Sequence, residues 1–418
     1  MLYIKKPPVK GRLFVWVKAV YSVALMMRNI LIAALVFHCS LLTAQPNLQQ
    51  HFYVRTTGQL PYLEYGIGDD RLGGAKMTYL DTMILLKVVD SFKTDYKVQL
   101  ANQHSAYIDK AFVSPVAYEA PLQHLSSSWK CYGDSLFDYV TVSLDERLPY
   151  TSVQQIGPSR IVVDIFGVTS NTNWITQLSS AKEIKNAWYE QITDDVMRVF
   201  IELKHAQHWG HSVYYEKNKL VVKIKRQPEK LNLKNMLIAV DAGHGGTNLG
   251  ANGISTNILE KNYTLLIAQQ LQLELEEKGA SVFMIRDHDT TLSMNERVLM
   301  AKEKNPDLLV SIHLNSSSKD SISGVSTYYR YIGFRPLSTA ILKQMLDLGL
   351  SEFGNIGNFN FTLNGPTDYP NCLVEVAFLS NKEDEKKILD PVFHTAVAQK
   401  IVAGIEAWLK DIKKQDDK

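Results

Sequence analysis

Two histidines and two glutamates in the C-terminal half of the chain have side chains that can bind a metal ion or move a proton. His244 lies in the Gly-rich stretch DAGHGG, Glu260 in LEKNYTL, His313 in SIHLN and Glu375 in CLVEVAFLSN. Zinc takes imidazole nitrogen and carboxylate oxygen as ligands, and a catalytic zinc site keeps one position for water. We therefore predict a catalytic zinc with His244, Glu260 and His313 as its ligands.

Glu375 stands in a stretch that is otherwise apolar. Seven of the eight residues from Cys372 to Leu379 are apolar, which is typical of a strand buried on both faces. An unpaired carboxylate there is costly or stays protonated, unless a cation or a reacting proton lies nearby. We expect Glu375 to take the proton of the zinc-bound water as general base and to return it to the leaving amine, with an amide bond as the target.

The elements that must position these residues form an α/β pattern from Met236 onward. Strands alternate with helices, which predicts a layered α/β fold with a mostly parallel sheet. Because function gathers at the carboxyl ends of such strands, the four residues are expected at one rim. The helices are expected over residues 259–278, 291–304, 337–350 and 392–412.

Several neighbouring polar residues have more than one interpretation. Asp241 and Asn315 are candidates for hydrogen bonds that orient the ligands. Arg286 and Arg297 are explained by pairing with acidic neighbours and are left outside the site. The charge run 383–387 is expected to be the exposed start of a helix capped by Asn381.

The motifs DAGHGGTNLGA, LEKNYTL, MIRD, SIHLN and LVEVAFLSN, in this order, resemble the zinc-dependent N-acetylmuramoyl-L-alanine amidases of the cell wall. The resemblance covers Met236 to about Leu409. It implies Zn²⁺ as cofactor and hydrolysis of the bond between the lactyl group of N-acetylmuramic acid and L-alanine in peptidoglycan. It places the ligands on His244, Glu260 and His313, and the catalytic glutamate on Glu375.

Some members of this family carry a long insertion that covers the zinc until an activator protein removes it. Only ten residues, 315–324, separate the two corresponding strands here. The sequence therefore predicts an enzyme without this form of autoinhibition. An activator of the envelope or the divisome stays an open possibility for a partner, besides peptidoglycan itself.

Two β-rich domains are expected before the catalytic domain, which we place at 235–412. Residues 51–116 contain short alternating runs such as MILLKVVD and YKVQL, and resemble a bacterial SH3-like domain. Residues 130–227 contain SRIVVDIFGV and VMRVFIELK, and resemble the AMIN domain, which positions envelope amidases on the wall. The stretch RQPEKLNLKN, residues 226–235, has the composition of a linker.

The N-terminal residues indicate export. Two apolar stretches, 13–27 and 30–42, are separated at Arg28, which is compatible with a membrane hairpin. The stretch that starts at Met26, however, has a charged start, a 13-residue apolar region and the cleavage signal LTA of a signal peptide. We expect residues 1–44 to be a signal or targeting segment, with translation starting near Met26, and the mature protein to lie in the cell envelope, in the periplasm.

Composition excludes several other classes of protein. The chain has 418 residues, 45% of them hydrophobic and 21% charged, with a net charge of +2. No strongly basic surface is available for nucleic acid. Cys39, Cys131 and Cys372 are widely spaced, which fits neither a disulfide framework nor a cysteine zinc site.

Two alternative functions stay open. A zinc peptidase that cuts within the wall peptide would use the same activated water. A non-catalytic wall-binding protein with a decayed site is less compatible with the presence of all four site residues. A second metal site is also conceivable at His205, His208 and His211 in KHAQHWGH, although a polar strand edge beside Trp209 is the simpler interpretation.

Overall fold

The computed structural model describes residues 51–68 and 75–416.

The first β-rich segment folds into one antiparallel sheet. The strands of this sheet lie in the order β3-β2-β6-β5-β4-β1-β7. Buried and less buried residues alternate over the central residues of most of these strands, as the sequence pattern predicts. They are β1 (Phe52–Thr56), β2 (Tyr62–Glu64), β3 (Lys76–Tyr79), β4 (Leu85–Ser91), β5 (Asp95–Ala101), β6 (His104–Asp109) and β7 (Val113–Val116).

The second β-rich segment forms two further sheets. A four-stranded sheet has the order β10-β11-β15-β14, and the other has the order β12-β8-β9-β17-β16, with β13 beside β8. The strands are β8 (His124–Gly133), β9 (Phe137–Leu144), β10 (Tyr150–Ile156), β11 (Ser159–Phe166), β12 (Val168–Thr169), β13 (Ile175–Gln177), β14 (Ile184–Thr193), β15 (Val196–Leu203), β16 (His211–Glu216) and β17 (Lys219–Lys225).

The two β-rich segments share one hydrophobic core. Leu86 and Ile108 of the first segment lie in the same cluster of buried side chains as Val142 and Ile165 of the second. From Phe52 onward the described residues form one compact unit. The β-rich character is as predicted, whereas the division into an SH3-like and an AMIN-like domain at 51–116 and 130–227 stays a prediction.

The C-terminal segment has a mixed, mostly parallel sheet with helices, as predicted. The strand order is β19-β18-β20-β23-β21-β22. Neighbouring strands are parallel except for the antiparallel pair β21 and β23. The strands are β18 (Leu237–Ala242), β19 (Ser281–Met284), β20 (Leu308–Asn315), β21 (Val325–Tyr328), β22 (Glu352–Ile356) and β23 (Asn371–Phe378). The helices are α1 (Glu260–Glu277), α2 (Met294–Lys304), α3 (Arg335–Met345), α4 (Lys382–Ile388) and α5 (Pro391–Asp416).

The two faces of this sheet are covered differently. Helices α1, α3 and α5 contribute Ile267, Ile341 and Ile401 to a large cluster that includes Val310 and Val374 of the strands. On the opposite face, Val298 of α2 packs with Ala239, Leu309 and Tyr369 in a smaller cluster. Burial on both faces explains why β20 and β23 are nearly continuous apolar runs rather than alternating ones.

Helix and strand boundaries differ from the predictions by a few residues. The helix expected from residue 337 begins at Arg335, because Pro336 fits the first turn of a helix. Strand β22 was not predicted, since its sequence EFGNI contains Gly354 and Asn355 and has weak strand propensity. Its pairing with β21 in the sheet supplies the stabilisation that the local sequence lacks.

The charge run at the start of α4 is not simply exposed, which corrects the expectation. Asn381 does cap the helix by accepting hydrogen bonds from the amides of Glu383 and Asp384. Asp384 and Glu385, however, are only 3% and 1% exposed. Glu385 accepts hydrogen bonds from the backbone of Ser255 and from Thr256, so it ties the loop before α1 to α4.

The predicted signal segment, residues 1–44, lies outside the described residues. No helix in the described part of the chain is both long enough and apolar enough to cross a membrane.

Candidate metal centre and active site

The three predicted metal ligands lie together. One nitrogen of each histidine and one oxygen of Glu260 all lie within 4.8 Å of one another. Glu260 Oε1 lies 3.0 Å from His244 Nε2 and 3.1 Å from His313 Nδ1. The two imidazole rings meet edge to face, with their centroids 4.9 Å apart. The sequence prediction that these distant residues converge is therefore met by the structure.

The loop after β18 positions His244 through its backbone. His244 has a φ of +63°, a left-handed conformation that is uncommon for a residue with a side chain. Its neighbour Gly243 passes so close to His313 that a Cβ there would lie 2.5 Å from the ring. Glycine is therefore required at residue 243, because any side chain would displace the His313 imidazole.

Glu260 is held by backbone amides as well as by the histidines. It is the first residue of α1, and its two oxygens accept hydrogen bonds from the amides of Ala251 and Leu314. Burial acts to raise the pKa of its carboxyl, but the hydrogen bonds with His244 and His313 outweigh burial and lower the pKa to about 2. Glu260 is therefore an ionised carboxylate between two imidazoles, which is the electrostatic arrangement that a divalent cation requires.

Glu375 lies beside His313 in the sheet. The two residues are register partners in the parallel pair β20 and β23, so their side chains are on the same face. Glu375 is 8% exposed, and its Oε2 atom is buried without a hydrogen-bond partner among the described residues. Burial raises the pKa of its carboxyl to about 7, although the nearby His313 acts to lower it. This carboxylate without a partner fits a place for a cation or a reacting proton next to the three ligands.

Two buried arginines hold the loop that carries His244, and sequence reasoning left both outside the site. Arg297 donates to the carbonyls of Ala242 and His244, and Arg286 donates to those of Ala242 and Gly243. Each arginine is 1% exposed. The MIRD motif is the sequence signal for Arg286, since a charged residue directly after an apolar strand has to find several acceptors if it is buried.

The roles expected for Asp241 and Asn315 need correction. Asp241 pairs with Arg297 at 2.6 Å and accepts from Ser311, so it acts on His244 only through the arginine. Asn315 Oδ1 accepts from the amide of the adjacent Ser316. The residue that orients His244 is instead Asn248, whose Oδ1 lies 2.8 Å from His244 Nδ1. Its position four residues after His244 in the same loop was the available signal.

The histidines of KHAQHWGH do not form a second metal site. His205 pairs with Glu183 at 2.6 Å, His208 bonds to the carbonyl of Gln155, and His211 bonds to the hydroxyl of Ser152. His208 and His211 are buried, so the expected polar edge is also incorrect for these two residues. Within the ranges 51–68 and 75–416, His244, Glu260 and His313 form the only cluster suited to a metal ion.

The loop between β20 and β21 leaves no helix over the site. Residues 316–324 consist of turns and irregular backbone, and all of them are described. The amide of Gly324 donates to Asp384, and the amide of Ser317 donates to Ser380, so the loop is held against the start of α4. The short connection thus has the form that the sequence length predicts.

Comparison with known proteins identifies two family regions. Residues 238–407 match the family model described as N-acetylmuramoyl-L-alanine amidase. Residues 129–227 match the AMIN domain. Over 181 residues the chain is 31% identical to the probable cell wall amidase LytH of Staphylococcus aureus, a match that covers 43% of this chain and 60% of LytH. The chain thus spans less than two thirds of this relative.

Solved structures also match the C-terminal region. The catalytic domain of CwlV, an N-acetylmuramoyl-L-alanine amidase from Bacillus (Paenibacillus) polymyxa var. colistinus, is 33% identical with a TM-score of 0.40, covering 42% of this chain and 98% of that one. The CwlD amidase of Clostridioides difficile, solved in complex with the GerS lipoprotein, is 27% identical with a TM-score of 0.40, covering 42% and 100%. Residues 238–407 thus resemble the N-acetylmuramoyl-L-alanine amidase family, and residues 129–227 resemble the AMIN domain.

Proposed function

We propose that this protein is a peptidoglycan hydrolase that cleaves the amide bond between the lactyl group of N-acetylmuramic acid and L-alanine of the stem peptide. The observation that carries the proposal is the convergence of His244, Glu260 and His313 beside the buried carboxylate of Glu375. The match of residues 238–407 to the amidase family model supports the class of bond.

We assign His244, Glu260 and His313 as the residues that would hold a zinc ion. Two nitrogens and one ionised oxygen fit the donor set of catalytic zinc sites. When bound, zinc acts as a Lewis acid that activates water and polarises the carbonyl of the scissile bond. Asn248 would keep the His244 ring in position by its hydrogen bond to Nδ1, which leaves Nε2 for the metal.

Glu375 would act as the general base. Its buried position excludes bulk water, and its carboxylate lies on the same sheet face as His313. It would take the proton of the attacking water and then pass a proton to the leaving nitrogen of L-alanine. Glu375 can carry out both transfers because the proton that it takes from water in the first step is the one that it gives to the nitrogen in the second.

The location that we propose is the cell envelope, in the periplasm. An AMIN domain and relatives that include a probable cell wall amidase support a secreted protein that works on the wall. Peptidoglycan is the proposed substrate, and an activator protein of the envelope stays a prediction.

The test is mass spectrometry of the soluble products that purified sacculi release after incubation with the protein and zinc. We expect intact stem peptides that begin with L-alanine, together with glycan strands without peptide. Peptides cut within their own chain would instead identify a zinc peptidase. No release by a protein that binds zinc and sacculi would identify a wall-binding protein.

A comparison of the unchanged protein with one variant tests the role of Glu375 in the activity. Glu375→Ala is expected to remove at least about 99% of the activity, in line with the 10²–10⁴-fold contribution of general acid–base catalysis. The circular dichroism spectrum and the zinc content should stay those of the unchanged protein. Activity that persists in this variant would contradict the role of Glu375.

A further inference from the structure

Ser326 lies directly opposite Glu375 on the neighbouring strand. The two residues are register partners in the antiparallel pair β21 and β23. Directly opposite residues of such a pair point to the same face, with their Cβ atoms about 4.5–5.5 Å apart. Because His313 is the partner of Glu375 on its other side, the three side chains His313, Glu375 and Ser326 form one row across the sheet.

Both polar side chains of this antiparallel pair are buried without a partner. Ser326 is 0% exposed, and neither its Oγ atom nor Oε2 of Glu375 has a hydrogen bond to any residue in the described ranges. Leaving a buried hydroxyl or carboxylate oxygen unpaired is unfavourable, and such groups are rare in proteins. Because the two residues lie directly opposite each other on one face of the sheet, we take these two unpaired atoms as candidate partners of one another.

The hydroxyl of the next residue, Thr327, has a different environment on the opposite face of the sheet. Thr327 is also 0% exposed, but its hydroxyl points to the opposite face and donates to the carbonyl of Ser338 at 3.1 Å. The buried hydroxyl of Thr327 therefore has an acceptor within the fold. The hydroxyl of Ser326 has none among the described residues, and it lies on the face of the sheet that carries Glu375.

We propose that Ser326 is a positioning residue for Glu375. Its hydroxyl donates a hydrogen bond to Oε2, so that the other carboxylate oxygen is held toward the proposed metal ligands. The terminal torsion of glutamate is broad, and a single hydrogen bond to one oxygen restricts it. A general base must lie within hydrogen-bond reach of the proton that it takes, so this restriction increases the population of the productive orientation. The inference rests on the proposed function of Glu375.

The first test compares three variants with a soluble N-acetylmuramoyl peptide as substrate and zinc present. We expect Ser326→Ala to lower kcat about tenfold, equivalent to about 1.4 kcal/mol in the barrier, with KM and zinc content close to those of the unchanged protein and a loss of Tm no larger than that of a buried-hydroxyl control on the same strand. Ser326→Thr keeps the hydroxyl and should recover most of the rate. Because Ser326 is fully buried, the Tm and the zinc content of this variant check that the fold accommodates the added methyl group.

The matched control is Thr327→Val, which removes a buried hydroxyl from the next residue of the same strand. It should lower Tm, because the bond to Ser338 is lost, and leave kcat within about twofold. A similar kcat for Ser326→Ala and the unchanged protein would overturn the inference. So would a Ser326→Thr variant that folds, binds zinc and is as slow as Ser326→Ala.

A double variant separates this inference from the proposed function. If Ser326 acts through Glu375, Ser326→Ala should have no further effect on kcat in a Glu375→Gln background. A further tenfold loss there would overturn the positioning role. An unchanged protein without amidase activity, or a fully active Glu375→Gln variant, would overturn the proposed function itself.

Discussion

At the scale of single residues, the candidate site consists of the proposed ligands and of further side chains that bind them through hydrogen bonds and ion pairs. His244 contacts Asn248 through its ring and Arg297 through its carbonyl. Asp241 in turn holds Arg297. Metal ligands are oriented by such outer partners, so the affinity for zinc should depend on residues that never touch the ion.

The first prediction concerns Asn248. Asn248→Ala removes the acceptor that fixes the His244 ring, so we expect zinc to bind about 10-fold to 100-fold more weakly. Competition with a chromophoric chelator measures this affinity. Thr247→Ala is the control, because Thr247 lies in the same loop but its hydroxyl contacts Thr291 rather than a ligand. Equal zinc affinities of the two variants would contradict the role of Asn248.

The second prediction concerns the buried pair of Arg297 and Asp241. Each side chain is 1% exposed, so Arg297→Met would leave an ionised carboxylate buried without its partner. The expected loss is about 3–5 kcal/mol of the free energy of unfolding, measured with urea. The partly exposed pair of Arg198 and Asp164 provides the control. Arg198→Met should cost about 1 kcal/mol or less.

The third prediction is a dependence of stability on pH. Burial lowers the pKa of His211 to about 3. An unfolded histidine titrates near 6.5, so between these two values the unfolded chain binds a proton that the folded chain does not. Stability is therefore present above pH 6.5 and falls as the pH drops toward 3. From pH 7 to pH 5 the contribution of His211 is about 2 kcal/mol.

Urea unfolding at pH 7 and pH 5 measures this effect, with His211→Gln as the comparison. Glutamine keeps a group that can bond to Ser152 but has no charge to gain. The difference between the two pH values should therefore be smaller in the variant by about 2 kcal/mol. The same pH dependence in both proteins would assign the effect to other groups.

At the scale of elements, the loop before α1 depends on α4. Glu385 accepts hydrogen bonds from the amides of Ser255 and Thr256 and from the hydroxyl of Thr256. This loop leads directly to Glu260, the first residue of α1. A carboxylate on α4 therefore fixes the entry of the helix that carries a proposed ligand.

The fourth prediction compares two glutamates of α4. Glu385→Ala leaves amide groups of the loop without an acceptor, so it should lower the free energy of unfolding by about 2–3 kcal/mol. Glu383, two residues earlier on the same helix, is exposed, and Glu383→Ala should cost about 1 kcal/mol or less. Urea unfolding of both variants gives the comparison. Equal effects would show that the hydrogen bonds of Glu385 are not the cause.

At the scale of the whole molecule, the β-rich part packs against the end of the α/β sheet where its parallel strands begin, which lies away from the site. Trp209 packs on Trp408 of α5, and Lys225 donates to the carbonyl of Pro306, just before β20. His313 lies five residues after the start of β20, a rise of about 17 Å along the strand. Within residues 51–68 and 75–416, this packing therefore does not cover the rim with the proposed ligands.

The fifth prediction tests this packing. Gly210 has a φ of +123°, and a Cβ there would lie 2.1 Å from the carbonyl oxygen of Asp368. Gly210→Ala should therefore separate the two parts and increase the rate of proteolysis in residues 226–235, the expected linker, where Leu231 and Leu233 are in fact buried in the intact fold. Gly349→Ala is the control, because Gly349 also has a positive φ but no atom within 4 Å of the added Cβ. Equal rates of cleavage within residues 226–235 in the two variants would exclude the clash at Gly210 as the cause.

The sequence by itself determined the alternation of strands and helices apart from β22, the α/β class of the C-terminal part and the four residues of the candidate site. These features are local: an apolar run followed by DAGHGG or SIHLN predicts a strand that ends in a polar residue without knowledge of its neighbours. The β-rich character of residues 51–227 follows from alternation in the same way.

Only the tertiary structure decided which side chains meet. Ser326 faces Glu375 because β21 pairs antiparallel to β23 in one register, and a shift by one residue would place Thr327 there instead. Asn248 rather than Asn315 orients His244, and two histidines of KHAQHWGH, His208 and His211, are buried rather than at a polar edge. Register, burial and the partner of a polar group arise from contacts between residues far apart in the chain, so residue types and their spacing do not determine them.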